Sequence, residues 1–242
     1  MIEEGGAVDV VAGKTISASD KAFAAIQNDR GFSEVVWLMT QLAVAATQMD
    51  PQSYLEGEGL RLSQTTSVAE VALAIHEAVD AKLDRIHQRS DFGEMAQNAL
   101  VSAVTEHLDT TLGTLISPSA AEAHGALSKL GRVGEFGKVA RSFFARLSQQ
   151  CLEYFLSKTV GAQIGDGRRF STTAQVAEYE SAMRTHSFEA AAIVEKFSAE
   201  WFSKNRFEGS GKIDREKSDG FGWYALQKMR AEMSSRATPN GL

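Results

Sequence analysis

VGEFGKVARSFFARLSQQCLEYFLSKT, residues 133–159, is the stretch that decides the fold. Phe136, Ala140, Phe143, Leu147, Cys151 and Tyr154 recur at helical spacing and make one apolar stripe. Phe144, Leu152, Phe155 and Leu156 widen that stripe well past a single face. A helix apolar over so much of its circumference must be touched by several neighbours, so it belongs at the centre of a helical bundle.

The rest of the chain supplies those neighbours. Ser67 with Glu70 reads as a capping box, in which the hydroxyl and the carboxylate satisfy each other's backbone N–H. Val68, Ala72, Ile75, Val79, Leu83 and Ile86 follow in one stripe. Phe92, Ala96, Leu100, Val104, Leu108 and Leu112 make the next. With only a few residues between them, these two helices predict an antiparallel hairpin. Upstream, the spacing predicts a helix from about residue 17 and another over 33–48. Residues 50–66, with Pro51, Gly57 and Gly59, read as a break.

Downstream of residue 112, Ser119 with Glu122 is a second capping box, and Thr172 with Gln175 opens the helix after the central one. Tyr179, Met183, His186, Ala190, Ile193, Phe197 and Trp201 then keep step. They predict one long helix, or two with a kink near Ser187. A last helix is expected from about Phe221 to Ser235. Between these, glycines 209, 211, 220 and 222 bracket a charged segment that reads as a mobile, trypsin-sensitive loop over 208–220. Trp201 and Trp223 are expected to anchor its two feet.

The expectation is an all-α protein, an irregular multi-helix bundle of about six to eight helices around the central apolar helix. Residues 17–235 form one helical domain in this reading, with a split into two lobes near 117–130 as the variant. Residues 1–16 read as a flexible or strand-like arm through which copies of the chain could pair, and 236–242 as a disordered tail.

Composition narrows the class. Hydrophobic residues make up 43% and charged residues 23%, ordinary for a soluble globular chain. The single cysteine excludes an internal disulfide and suits a reducing compartment. The acidic start lacks a secretory signal's basic and apolar regions. The longest apolar run, VVWLMTQLAVAA, is too short to cross a bilayer. A cytoplasmic location without membrane contact is the expectation. Charge is uneven along the chain: residues 1–120 hold 17 acids against 7 bases, net −10, and residues 121–242 hold 14 against 18, net +4. That asymmetry favours an acidic partner for the C-terminal half.

Catalytic signatures fail on inspection. GSGK at 209–212 lacks both the upstream glycine and the following Ser or Thr of a P-loop. DFG at 91–93 opens a helix, with no HRD elsewhere. His76, Asp80, Asp84 and His87 share a face, but one carboxylate–histidine helix cannot build a di-metal bundle, so they read as solvated polar residues. No metal or cofactor is expected. Cys151, in the most apolar helix, reads as packing rather than nucleophile. His186 falls on an apolar stripe and reads as a core histidine bonded to a carbonyl.

Two candidate sites remain. Arg168 and Arg169 precede the helix that Thr172 opens, where unpaired N–H groups and guanidinium donors suit an anion. Lys204, Arg206, Lys212 and Trp223 mark a partner-binding region. The function these features favour is a non-enzymatic interaction or adaptor protein within a larger assembly, bound to a protein partner. The alternatives are a nucleic-acid-binding accessory protein using the basic half, and an enzyme built around His186, Arg168 and Arg169.

Overall fold

The computed structural model describes residues 23–62, 67–113, 119–160 and 172–237. The described residues hold a helical stretch at 23–26, where the first helix is expected, then nine further α-helices, one 3-10 turn and no strand. In order these are α1 (Arg30–Ala45), α2 (Pro51–Gly57), α3 (Val68–Ile86), α4 (Asp91–Leu112), α5 (Ala120–Ser128), the 3-10 turn Lys129–Gly131, α6 (Val133–Val160), α7 (Thr173–Ala190), α8 (Ala192–Glu208) and α9 (Arg215–Ala237). The strand-like arm at 1–16 lies outside the described residues. So do 238–242 of the expected tail, whose first two residues belong to α9.

The all-α bundle is as the periodicity implies, with more helices than expected for two local reasons. Asp50 accepts from the Ser53 N–H at 3.0 Å and Pro51 sits in the first turn, so residues read as a break nucleate the short α2. The long downstream stripe is two helices, divided at Ala191. The division changes the phase: α8 buries Val194, Ser198 and Phe202, while Ile193 turns outward at 38% exposure.

Local chemistry sets the other helix starts. Both capping boxes form: the Glu70 N–H donates to Ser67 and the Ser67 N–H to Glu70, and Ser119 and Glu122 repeat the pattern. Ser90 caps α4 through the Gly93 N–H. The α3–α4 hairpin is antiparallel, since Gln97 reaches back to the His76 carbonyl at 2.8 Å and to Asp80 at 3.1 Å.

Helix α6 occupies the centre and packs against α8, α4 and α7. A second helix is as enclosed: twelve of the sixteen residues of α1 are buried, which makes it an inner helix rather than a peripheral one. Close crossings depend on missing side chains. A Cβ on Gly31 of α1 would lie 2.8 Å from the Gly93 Cα of α4, and one on Gly137 of α6 would lie 2.8 Å from the Glu195 carbonyl of α8.

An aromatic cluster ties α1, α6, α8 and α9 together. Phe221 of α9 meets Trp201 at 4.3 Å between ring centroids, Phe136 at 5.6 Å, Phe197 at 5.9 Å and Phe144 at 6.1 Å. Phe136 stacks on Phe202 at 4.6 Å, and Phe32 of α1 stacks on Phe143. Thus Trp201 packs on the cluster from the middle of α8, partly buried, and Phe221, not Trp223, is the anchor on α9. Trp223 points outward, 41% exposed.

The expected mobile loop is also corrected. Only 209–214 separate α8 from α9, and Ser210 and Gly211 take positive φ to turn the chain. Asp214 accepts from the Lys217 N–H and starts α9 six residues before Phe221. Arg215 then donates to both oxygens of Glu34 at 2.8 and 2.9 Å, while Ile213 and Ser218 are buried. Arg215 and Lys217 therefore sit in a docked helix, not in an open loop.

Two measurements check this core. Phe221→Ala is expected to cost about 3–5 kcal/mol of unfolding free energy, and Trp223→Ala under about 0.5 kcal/mol, by urea denaturation. Burial pushes the Cys151 thiol up to about 12, and its Sγ rests 3.7 Å from Met95 Sδ. A thiol reagent at pH 8 should therefore modify Cys151 only after denaturant is added.

Candidate functional site

A charged concavity lies where α4, α6 and the α7–α8 junction meet. It is a cleft of about 340 Å³ lined by Glu106, His107, Glu135, Arg141, Ser142 and Phe188, among others. The helical period places these groups. Ala99, Ala103 and His107 stand four apart on a second packed face of α4, beside the Leu100–Val104–Leu108 stripe. Glu135 and Arg141 project from the first three turns of α6.

Each charge in the cleft has a companion. Arg141 donates to Glu195 at 3.0 Å, and its guanidinium lies 4.4 Å from the centre of the Phe188 ring. Glu106 accepts from Ser142 and from Arg146 at 3.2 Å. These hydrogen bonds hold the Glu106 carboxyl below its ordinary range although its partial burial works the other way. Lys138 donates to Glu135 at 2.9 Å and lowers that carboxyl as well.

His107 is the exception. Its side chain is 5% exposed, with Nδ1 3.5 Å from Glu135. Nε2 is buried and makes no hydrogen bond, although the Ala126 backbone approaches the ring. Burial holds the imidazole below its ordinary 6.5, against the opposing pull of Glu135. A histidine oriented by a carboxylate resembles half of a nucleophile-activating triad. Here the free nitrogen faces protein rather than the cleft, and the nearby Ser142 hydroxyl is given to Glu106.

The residues singled out from sequence fall elsewhere and apart. Arg168 and Arg169 lie outside the described residues. Thr172 caps α7, accepting from the Gln175 N–H at 3.3 Å. Lys204 is paired with Glu208 at 3.9 Å. Arg206 donates to the Gly131 carbonyl at 3.0 Å and so ties α8 to the 3-10 turn. Lys212 is exposed on the turn before α9. His186 is half-buried, its Nε2 3.3 Å from the Met233 carbonyl, the backbone partner expected of a core histidine. His76, Asp80 and Asp84 lie on one face of α3, where Arg89 reaches both carboxylates. Among the described residues no group of three or more His, Cys, Asp or Glu side chains could hold a metal ion. No described helix is long and apolar enough to cross a membrane.

On α9 one site residue stands out. Trp223 and its neighbour Tyr224 are exposed at 41% and 57% and meet edge to face at 4.8 Å. The opposite face of the same helix buries Phe221, Gly222, Ala225, Leu226 and Met229. Comparison of the chain with models of protein families, with curated proteins and with solved structures finds no match.

His107 belongs to no recognisable motif in the sequence. The usable signal was the row of small residues leading to it, the mark of a second packed face. The sign of its effect on stability follows from burial. A histidine held below its unfolded value contributes stability that is full above about pH 6.5 and lost as pH falls through the folded value. His107→Gln should flatten the difference in unfolding free energy between pH 7 and pH 5, read by urea denaturation at each pH. An unchanged slope would contradict the assignment.

Proposed function

We propose that this chain is a non-enzymatic helical interaction protein, a component of a larger assembly, that grips a protein partner through Trp223 and Tyr224 of α9. The observation that carries the reading is the outward exposure of this aromatic pair on a helix locked from behind. Large aromatics left in water are uncommon, and they are the residues on which interfaces concentrate their binding energy. The buried face of α9 holds the pair rigid, so little side-chain entropy remains to be lost on binding. The net +4 of residues 121–242 favours an acidic partner.

The nucleic-acid alternative has less behind it. Stacking would use the same two rings, but three of the basic side chains nearby already have partners, and only Lys212 stands exposed without one among the described residues. Lys204 and Lys217 both lie 3.9 Å from Glu208, and Arg206 is held by a carbonyl.

A double variant, Trp223→Ala with Tyr224→Ala, should keep its melting temperature within about 2 °C, because both side chains are solvated. It should lose a protein that co-purifies stoichiometrically with the native chain from the cells that make it. Full retention of that protein would sink the reading. A salt-sensitive gel shift with single-stranded DNA or RNA, abolished by the same double variant, would transfer it to nucleic-acid stacking.

A further inference from the structure

The end of the bundle where α1, α5 and α8 finish carries two features that the core does not account for. One is Phe207, in the last turn of α8, which is 87% exposed. Val194, Ser198 and Phe202 mark the packed side of that helix, and Phe207 falls about 140° round from Phe202, so its ring is held out in water. The other is a mostly apolar cleft of about 280 Å³. Leu42, Ala46, Leu55, Leu62 and Leu127 wall it, and Met49 stands fully exposed at its rim.

Both features flank the 3-10 turn. Leu127 and Ser128 lead from the cleft into that turn. From the other side Arg206, the residue before Phe207, donates to the Gly131 carbonyl at 3.0 Å. Gln48, at the end of α1, donates to the Gly211 carbonyl just beyond α8 at 3.2 Å. Knob and cleft are thereby fixed at the same end of the molecule.

Their chemistry is complementary. An aromatic ring buries about 150–250 Å² when it packs, and that area is unused here. The cleft is smaller than the about 300–1,000 Å³ of a small-molecule pocket, and suits one anchoring side chain. Leucine walls and a polarizable methionine at the rim favour an aromatic one. Charge follows the same division. Asp50 lines the cleft and Glu56 is exposed on α2. Lys204 precedes the ring by three residues, and Lys212 is exposed in the turn after α8. The acid beside the ring, Glu208, lies 3.9 Å from both Lys204 and Lys217. The knob's surroundings therefore attract the cleft's.

We propose that the occupant of this cleft is Phe207 of a second copy of the chain, each copy giving its ring to the other in a two-fold dimer. A knob and a cleft at one end make a contact that closes on itself, whereas at opposite ends they would build an open chain. This surface is separate from the aromatic pair on α9 and does not depend on the role given to it.

Sedimentation velocity of the full chain over a concentration series tests the dimer. The native chain should pass from monomer to dimer as concentration rises. Phe207→Ser should weaken that association at least about tenfold, as loss of a central aromatic anchor does. Ser128→Trp, which sets an indole at the exposed rim of the cleft, should weaken it similarly. An equimolar mixture of the two variants should regain dimer, because one brings the ring and the other the cleft. The proposal is overturned if the native chain stays monomeric, if it grows into a ladder of larger species, or if Phe207→Ser dimerises as before. It is equally overturned if two folded variants fail to associate when mixed, or if only loss of Trp223 and Tyr224 abolishes the dimer. Should Ser128→Trp fail to fold, Phe207→Ser still decides, since its side chain is solvated.

Discussion

The packing of Phe221 into the aromatic face of α6 is the contact on which the rest of the bundle depends. One ring from α9 touches Phe136 and Phe144 of α6 and Phe197 and Trp201 of α8. Through Phe144 and Phe143 the cluster continues to Phe32 of α1. Helices from both ends of the chain and from its middle therefore share one contact surface. Aromatic rings bury much area with few rotatable bonds, so the cluster gives stability and shape together. It also explains why the C-terminal segment carries so much aromatic weight: part of it closes the core, and part is left facing out.

Apolar contact alone would not settle where α9 sits along α1. Polar groups at that interface do. Thr40 and Ser218 share a buried hydrogen bond at 3.1 Å, and Gln41 donates to the Ile213 carbonyl at 3.3 Å. Gln48 donates to the Gly211 carbonyl, and Arg215 clamps Glu34 with two donors. Each of these would be left unsatisfied by a shift of one turn, and an unmade buried hydrogen bond costs more than a made one contributes. Gly222 completes the fit, since a Cβ there would come within 3.1 Å of Val36. The turn that looked loose in sequence is thereby held at both ends.

The charged cleft and the exposed aromatic pair divide the chemistry of the surface between them. In the cleft, arginine and lysine partners neutralise the carboxylates, and the buried Nε2 of His107 and Nε of Arg141 make no hydrogen bond. On α9 the reverse holds: two rings are presented to solvent on a rigid support.

Local chemistry settled much in advance. Ser67, Ser90, Ser119 and Thr172 start helices because a side-chain oxygen within three residues of an N–H needs no tertiary help. The all-α class and the central place of α6 follow from periodicity in the same way. What periodicity cannot carry is the identity of the partner. Glu34 meets Arg215, Phe32 meets Phe143 and Glu135 meets His107 only because helices far apart in the chain come together. The near-total burial of α1, the change of phase at Ala191, the inward turn of Phe221 and the outward turn of Trp223 were all decided at that level. A stripe records how much of a helix is apolar, whereas burial depends on how many other helices reach it, and that is a property of the assembled bundle alone.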